Sequence, residues 1–551
     1  MRPKTHLLGN TALELSSHQI QRWMNDCILG HEQCSNQSKA TLPTRVLDLG
    51  NTNESIRLIE THELAGPYIC LSHCWGGHST ILCTRETYAG YQDNVPWDTL
   101  PLLFQDTVKV CRMLDVRYLW IDKLCIIQHD ADDWAREGSK MAQVFENSLL
   151  TIGAAISKGD TDSLFFEDKK RIASLRSHVG RMKDGATYTI YSRLSHRYHP
   201  ANASTSGNIS ENYPLMSRAW VYQERLLAPR ILYFGEELSW ECRQASACEC
   251  SEASQGIKFD HSSSLLPGCS TQKLHLHWQD IVQDFTSLQL SHEEDRLPAI
   301  SGLAQQYQRR LESAYLAGLW EDNIVVDLLW HAFPEDGSGV ERYKTKKPKK
   351  WRAPSWSWAS IEGPVLFDRP YHVVASEANT ESMRHWVEII SAECTPSSLD
   401  PTGTVAAGSI VIKGSGRLAR LKHAEDCTGH DTRHFSVTHT GLDSVTLRSN
   451  FTVDGKQANV DYDLIAQGLM EANSDMSIYR LYIGGMSRTR RIFRPSEGHY
   501  RSASFFRTWS LLLHCVNGNT FERVGLQISD HVDGDEMKIR NGLEDCTITI
   551  I

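Results

Sequence analysis

The chain of 551 residues has no run of about 18 apolar residues, so its sequence offers no membrane-spanning helix. Its first ten residues, Met1-Arg-Pro-Lys-Thr-His-Leu-Leu-Gly-Asn10, lack the apolar core of an export signal. Without such a signal the 15 cysteines read as reduced thiols, many of them buried. Asn-x-Ser/Thr sites such as Asn202-Ala-Ser then carry no expectation of glycosylation, and the expected location is cytoplasmic. No Cys-x2-Cys pair, internal repeat or heptad array is present. A net charge of -10 excludes a general DNA or RNA binder, which is usually basic. With 40% hydrophobic and 23% charged residues, the chain is ordinary globular material long enough for several domains.

Three segments carry unusual chemistry beside apolar runs: Tyr68-Ile-Cys-Leu-Ser-His-Cys-Trp-Gly-Gly77, Tyr118-Leu-Trp-Ile-Asp-Lys-Leu-Cys-Ile-Ile-Gln128 and Arg218-Ala-Trp-Val-Tyr-Gln-Glu-Arg225. Residues 68–73, 117–122, 149–154 and 230–234 read as short buried strands. Pro101 stands where a helix begins, with Leu103, Thr107, Val110 and Leu114 on one face. A further helix runs to about Asn147 with Asp132 or Asp133 as its cap. Strand alternating with helix implies a parallel sheet with crossovers. Residues 158–212 read as a polar loop insertion, 275–330 as helical, and the chain beyond about 366 as a β-rich module with short strands near 409–413, 444–448, 478–483, 511–516, 523–528 and 546–551. The expected divisions are 1–60, 61–250, 251–365 and 366–551.

Glu137 lies three residues after Trp134 and four before Met141, on the apolar stripe of its helix. A carboxylate there is either a desolvated functional group or the partner of a buried arginine. Asp122 ends a strand, where it serves a site or caps the following turn. Ser72 holds the equivalent place after the first strand. The helix near residues 17–34 spaces Cys27, His31 and Cys34 as C-x3-H-x2-C. A metal would need a fourth donor, from Cys242, Cys248 or Cys250, and packed thiols with no metal are the expectation. Gly414-Ser-Gly-Arg-Leu-Ala419 lacks the third glycine of a dinucleotide fingerprint and reads as a β-turn. Lys344–Lys350 reads as a basic solvated loop, and Trp356 and Trp358 as anchors between modules.

Together, Tyr68–Gly77, Leu119–Gln128 and Ser217–Glu224 with Cys242 resemble the three blocks of the fungal heterokaryon-incompatibility (HET) domain. Trp23, Cys27, His31 and Cys34 followed by Leu42-Pro-Thr-Arg45 resemble the leader of that family. Asp295–Ala304, Tyr315–Trp320 and Ala353–Trp358 resemble the region after it. His73-Cys74 and Ile127 depart from the family pattern. The resemblance implies a TIR-like or flavodoxin-like parallel sheet with helical additions, followed by the β-rich module. It implies recognition of genetically different cells and death of fused cells, with protein partners and self-association. The family is also thought to be distantly related to TIR domains, some of which cleave NAD with a glutamate in a Trp-x-x-Glu context, which Trp134-Ala-Arg-Glu137 matches. On that basis Glu137 is the expected catalytic group, and Ser72, Trp75, Gly76, Gly77 and Asp122 the expected walls for NAD as substrate. No metal or cofactor is expected. A non-catalytic signalling module and an accessory protein of a secondary-metabolite cluster are the competing functions.

Overall fold

A computed structural model describes residues 10–34, 40–77, 81–167, 176–192, 212–249, 261–263, 265, 267–332, 345–370, 383–424, 434–439, 450–453, 456–459, 476–494, 499–532 and 536–551. The chain divides into two compact units, one formed by Met1–Leu274 with Ala299–Tyr307, the other by His275–Pro298 with Gln308–Ile551. No helix among the described residues is long and apolar enough to cross a membrane.

The first unit is built on α1 (Leu13–Gly30), β1 (Arg45–Asp48), β2 (Arg57–Glu60), β3 (Tyr68–Ser72), α2 (Arg85–Asp93), α3 (Leu102–Met113), β4 (Tyr118–Trp120) and α4 (Asp122–Cys125). It continues with α5 (Ala131–Glu146), β5 (Leu150–Ala154), the hairpin β6 (Arg176–Arg181) and β7 (Thr187–Ser192), α6 (Ala219–Leu227), β8 (Arg230–Phe234), β9 (Leu238–Cys242) and β10 (Ser246–Cys248). Eight strands form one sheet in the order β10-β9-β8-β5-β3-β4-β1-β2. The pairs β3–β4, β3–β5 and β5–β8 are parallel. Every residue of β3, β5 and β8 is buried, as expected of parallel strands covered on both faces.

Taken in chain order, the four parallel strands lie second-first-third-fourth, the flavodoxin-like arrangement expected from sequence. The order reverses between β3 and β5, so their crossovers leave on opposite faces. In open α/β sheets ligands bind beyond the carboxyl ends of the strands near such a reversal. β1 and β2, from the leader, extend the same sheet antiparallel to β4.

The helix cap departs from expectation in detail. Asp130, not Asp132 or Asp133, caps α5, and its Oδ1 accepts the amides of both those residues at 3.1 Å. The polar 158–212 stretch includes the β6–β7 hairpin.

Helix Pro298–Leu311 gives residues 299–307 to this unit. Gly302 N–H donates to Gln223 Oε1 at 2.7 Å, and a Cβ on Gly302 would sit 2.4 Å from Ala142 Cβ and 2.9 Å from Leu227 Cδ1. Gly302→Ala is therefore expected to destabilise the unit by about 1–3 kcal/mol through overpacking, read from a urea titration. A change below a few tenths would mean that the contact relaxes freely.

In the second unit, the 275–330 stretch is helical only in part: beyond Leu311 it contains the strands Tyr315–Leu316, Leu319–Trp320 and Trp330–Ala332. Trp278, Tyr315 and Trp320 pack edge to face, with Trp278 and Trp320 centroids 5.4 Å apart. Trp356 and Trp358 are fully buried, whereas Trp351 is 57% exposed.

The β-rich region is as expected in character but has longer strands: Val405–Ala424, Met476–Arg494, His499–Asn517, Thr520–Val532 and Glu544–Ile550. Each pairs with the next around a ring, Met476–Arg494 returning to Val405–Ala424, so five strands close on themselves, with two residue pairs joining Thr520–Val532 to Glu544–Ile550. Residues 414–419 lie inside Val405–Ala424, not at a β-turn. Tyr479 and Val387 fill the space that side chains on Gly416 and Gly414 would take, which explains glycine in mid-strand. The strand expected at 444–448 falls outside the described residues. Lys346 and Lys347 pair with Glu362 and Glu522.

Candidate functional site

The chemistry expected at the strand ends collects where β3, β4 and α6 meet. Trp75 Nε1 donates to Asp122 Oδ2 at 2.6 Å, joining the first sequence segment to the second. Asp122, the first residue of α4, also accepts the Lys123 amide through Oδ1 at 2.8 Å. Lys123 Nζ, fully buried, donates to Asp160 Oδ2 at 2.7 Å and to the Trp75 carbonyl at 2.8 Å. It also lies 5.2 Å from the Trp75 ring centroid.

The third segment supplies the remaining groups. Arg218, the residue before α6, donates through Nη1 to the His73 carbonyl. Glu224, half-buried on α6, has a carboxyl raised to about 7. Burial is the main cause; the Ser72 hydroxyl and the Arg218 guanidinium oppose it, and Asp122 adds to it. Ser72 Oγ thus lies close enough to favour the charged carboxylate, yet it makes no hydrogen bond of standard geometry.

His73 is buried, packs edge to face on Phe104 at 5.3 Å, and is held down to about 4, chiefly by burial. Its Nδ1 stands 3.8 Å from Asp122 Oδ1, too far for a hydrogen bond. Ser72 Oγ and both His73 ring nitrogens are thus buried polar atoms without hydrogen-bond partners, a costly arrangement outside a binding site.

The residues named from sequence divide into two groups. Ser72, Trp75 and Asp122 come together in this cluster. Gly76 and Gly77 follow directly, but Gly76, at φ +75°, sets its backbone against Gly159, where a Cβ would come within 3.0 Å of Gly159 Cα. That close approach is to the chain's own loop after β5. Gly77 has open space around it.

Glu137 sits in a different ion-pair group. It is 6% exposed, and Lys140 Nζ donates to its Oε1 at 3.3 Å. Its charge acts on the buried Arg45, which pairs with Asp133 and donates to the Cys125 carbonyl. Trp134, expected on the apolar stripe, is 38% exposed and packs edge to face on Trp220.

Sequence reasoning missed Glu224, Arg218, His73, Lys123 and Asp160 as parts of the site. Glu224 and Arg218 stood in a segment already singled out, but nothing in their spacing shows that α6 docks against the end of β3. For Lys123 the available signal was its place next to Asp122.

The Trp75 ring, the carboxyls of Asp122 and Glu224 and the Arg218 cation thus gather at the ends of β3 and β4. No curated protein and no solved structure matches the chain. Residues 68–224, running from the first residue of β3 to the site carboxylate on α6, match the family model described as heterokaryon incompatibility protein (HET), so the chain carries a HET domain over this stretch.

Proposed function

We propose that this protein is a cell-death effector of heterokaryon incompatibility whose HET domain hydrolyses the N-glycosidic bond of NAD in the crevice between β3, β4 and α6. The domain itself implies involvement in incompatibility. The observation that carries the finer reading is Glu224, a carboxyl raised to about 7 beside Ser72 and Asp122 in a half-buried crevice.

In this reaction the bond from ribose C1′ to the nicotinamide nitrogen breaks, and its electron pair leaves with nicotinamide as a neutral ring. Asp122 opposes the positive charge that develops on the ribose. Glu224 accepts a proton from water as the water oxygen bonds C1′, giving ADP-ribose. Trp75 stacks on a base, and Arg218 binds phosphate.

The purified full chain incubated with NAD is expected to release nicotinamide and ADP-ribose in equal amounts, measured by chromatography. Absence of release from folded protein sinks the proposal. Glu137, the carboxylate implied by family resemblance, is separated in the same assay. If Glu224 carries the reaction, Glu137→Gln retains release within about threefold. Loss in Glu137→Gln with retention in Glu224→Gln moves the role to Glu137.

A further inference from the structure

Cys27, His31, Cys34 and Cys242 meet at the edge of the first unit, far apart in sequence. Cys27 and His31 are four apart on α1, which places them on one face. The chain leaves the helix at His31 in extended geometry and returns through the turn Glu32–Cys34, bringing Cys34 back. Cys242 closes β9. One ligand atom from each of the four lies within 4.8 Å of all the others, and His31 Nδ1 is 3.3 Å from Cys242 Sγ. Of the three donors considered from sequence, Cys242 is the one in the group; Cys248 lies toward Glu237, and Cys250 is outside the described residues.

We infer that these four side chains form a structural zinc site of the Cys3His type. A tetrahedral ion with bonds of about 2.3 Å to sulfur and about 2.0–2.1 Å to nitrogen holds its donors roughly 3.5–3.8 Å apart, which a small contraction of the group supplies. The ligand set is sulfur-rich, which selects zinc over hard cations. All four positions come from protein, so no open position remains for substrate, and the site is closed as structural sites are.

The surroundings fit a thiolate-rich ion. Cys27, Cys34 and Cys242 are each about 1% exposed, and no disulfide links them. Arg230, also buried, donates through Nε to Cys27 Sγ at 3.2 Å and through Nη2 to the Cys34 carbonyl. Three thiolates, a dication and one guanidinium sum to zero charge. The Arg230 Nε–H faces a ligand sulfur directly. Such donors orient and tune metal-bound thiolates. Gln33 N–H to Gln244 Oε1 at 2.9 Å ties the same two segments together beside the site. Zinc here fastens the leader helix to the sheet edge that follows α6.

The test uses the full chain purified without added chelator. Elemental analysis is expected to give one zinc per chain, and X-ray absorption at the zinc edge a shell of three sulfurs and one nitrogen. Cys34→Ser and Cys242→Ser are each expected to lower bound zinc at least tenfold. Cobalt reconstitution of the parent is expected to give tetrahedral thiolate bands, a readout that does not depend on a variant folding. Metal-free, correctly folded parent protein overturns the inference. So does a disulfide among the three cysteines found by mass mapping, or zinc content unchanged in Cys242→Ser.

Discussion

Lys123→Met is expected to destabilise the first unit by about 3–5 kcal/mol, because it strands a buried carboxylate. Lys123 and Asp160 have side-chain exposures of 0% and 1%, and their 2.7 Å contact is what neutralises both. Methionine matches the length of lysine but leaves Asp160 charged in a dry site and the Trp75 carbonyl without this donor. A urea titration measures the loss, and the cycle completed with Asp160→Asn separates the pair from the rest. The double variant is expected to be more stable than the sum of the single losses predicts, since neither charge is then left alone. A loss under 1 kcal/mol for Lys123→Met would mean that water reaches Asp160 and that the floor of the crevice is not closed. Nicotinamide release is expected to fall as well, since the same ammonium supports Trp75 from below.

Glu224→Gln is expected to cut nicotinamide release by about 10²–10³-fold, the usual worth of a positioned acid or base with its charge stabilisation. In the parent, the rate is expected to rise with pH through about 7, as the carboxyl ionises and becomes a base. That rising limb disappears in the variant. Stability moves the opposite way. Burial raises this carboxyl above its ordinary value of 4.5, so the folded state favours the neutral form. The associated stability is fully present below pH 4.5 and is lost as pH climbs through about 7. Glutamine stays neutral throughout, so the variant is expected to gain roughly 1–3 kcal/mol over the parent above pH 7, with no gain below pH 4.5. A residue kept for packing alone would lose stability and activity together. Opposite signs identify one kept for chemistry at a cost to the fold.

The sheet was legible because its strands carry their own signal. β3, β5 and β8 are short, mostly apolar runs, and the helix α3 between β3 and β4 has a clean stripe of Leu103, Thr107 and Val110. Parallel direction then followed from the alternation of strand with helix, and the flavodoxin-like arrangement from the family resemblance. The closeness of Trp75 and Asp122 was expected from the rule that sites gather at strand ends, but the hydrogen bond between them was not. Glu137 was correctly read as a buried carboxylate, because burial on a helix follows from its period. Whether burial serves chemistry or an ion pair depends on what lies across the interface, and Arg45 is some ninety residues away in sequence, beyond the reach of any periodic pattern. Glu224 was illegible for the same reason. The thiol group shows the limit most simply: the spacing of three donors was visible on α1 and its turn, but the choice of Cys242 as the fourth is made by sheet order.

The position of α6 has a consequence for how this domain tolerates change. Both ends of residues 155–212 are fixed, one by β5 in the middle of the sheet and the other by the run from Tyr213 into α6, where Tyr213, Leu215 and Met216 pack with Ala155 in a single apolar cluster. Closing a chain between two fixed points costs entropy that grows only with the logarithm of its length, about 0.6 kcal/mol per doubling. Apart from residues 155–167, which hold Asp160 against Lys123, the segment that carries the β6–β7 hairpin can therefore lengthen, shorten or diverge with little effect on where Glu224 meets Ser72. Its strand β6, with five of six residues exposed, is a surface on which differences can accumulate while the crevice keeps its dimensions.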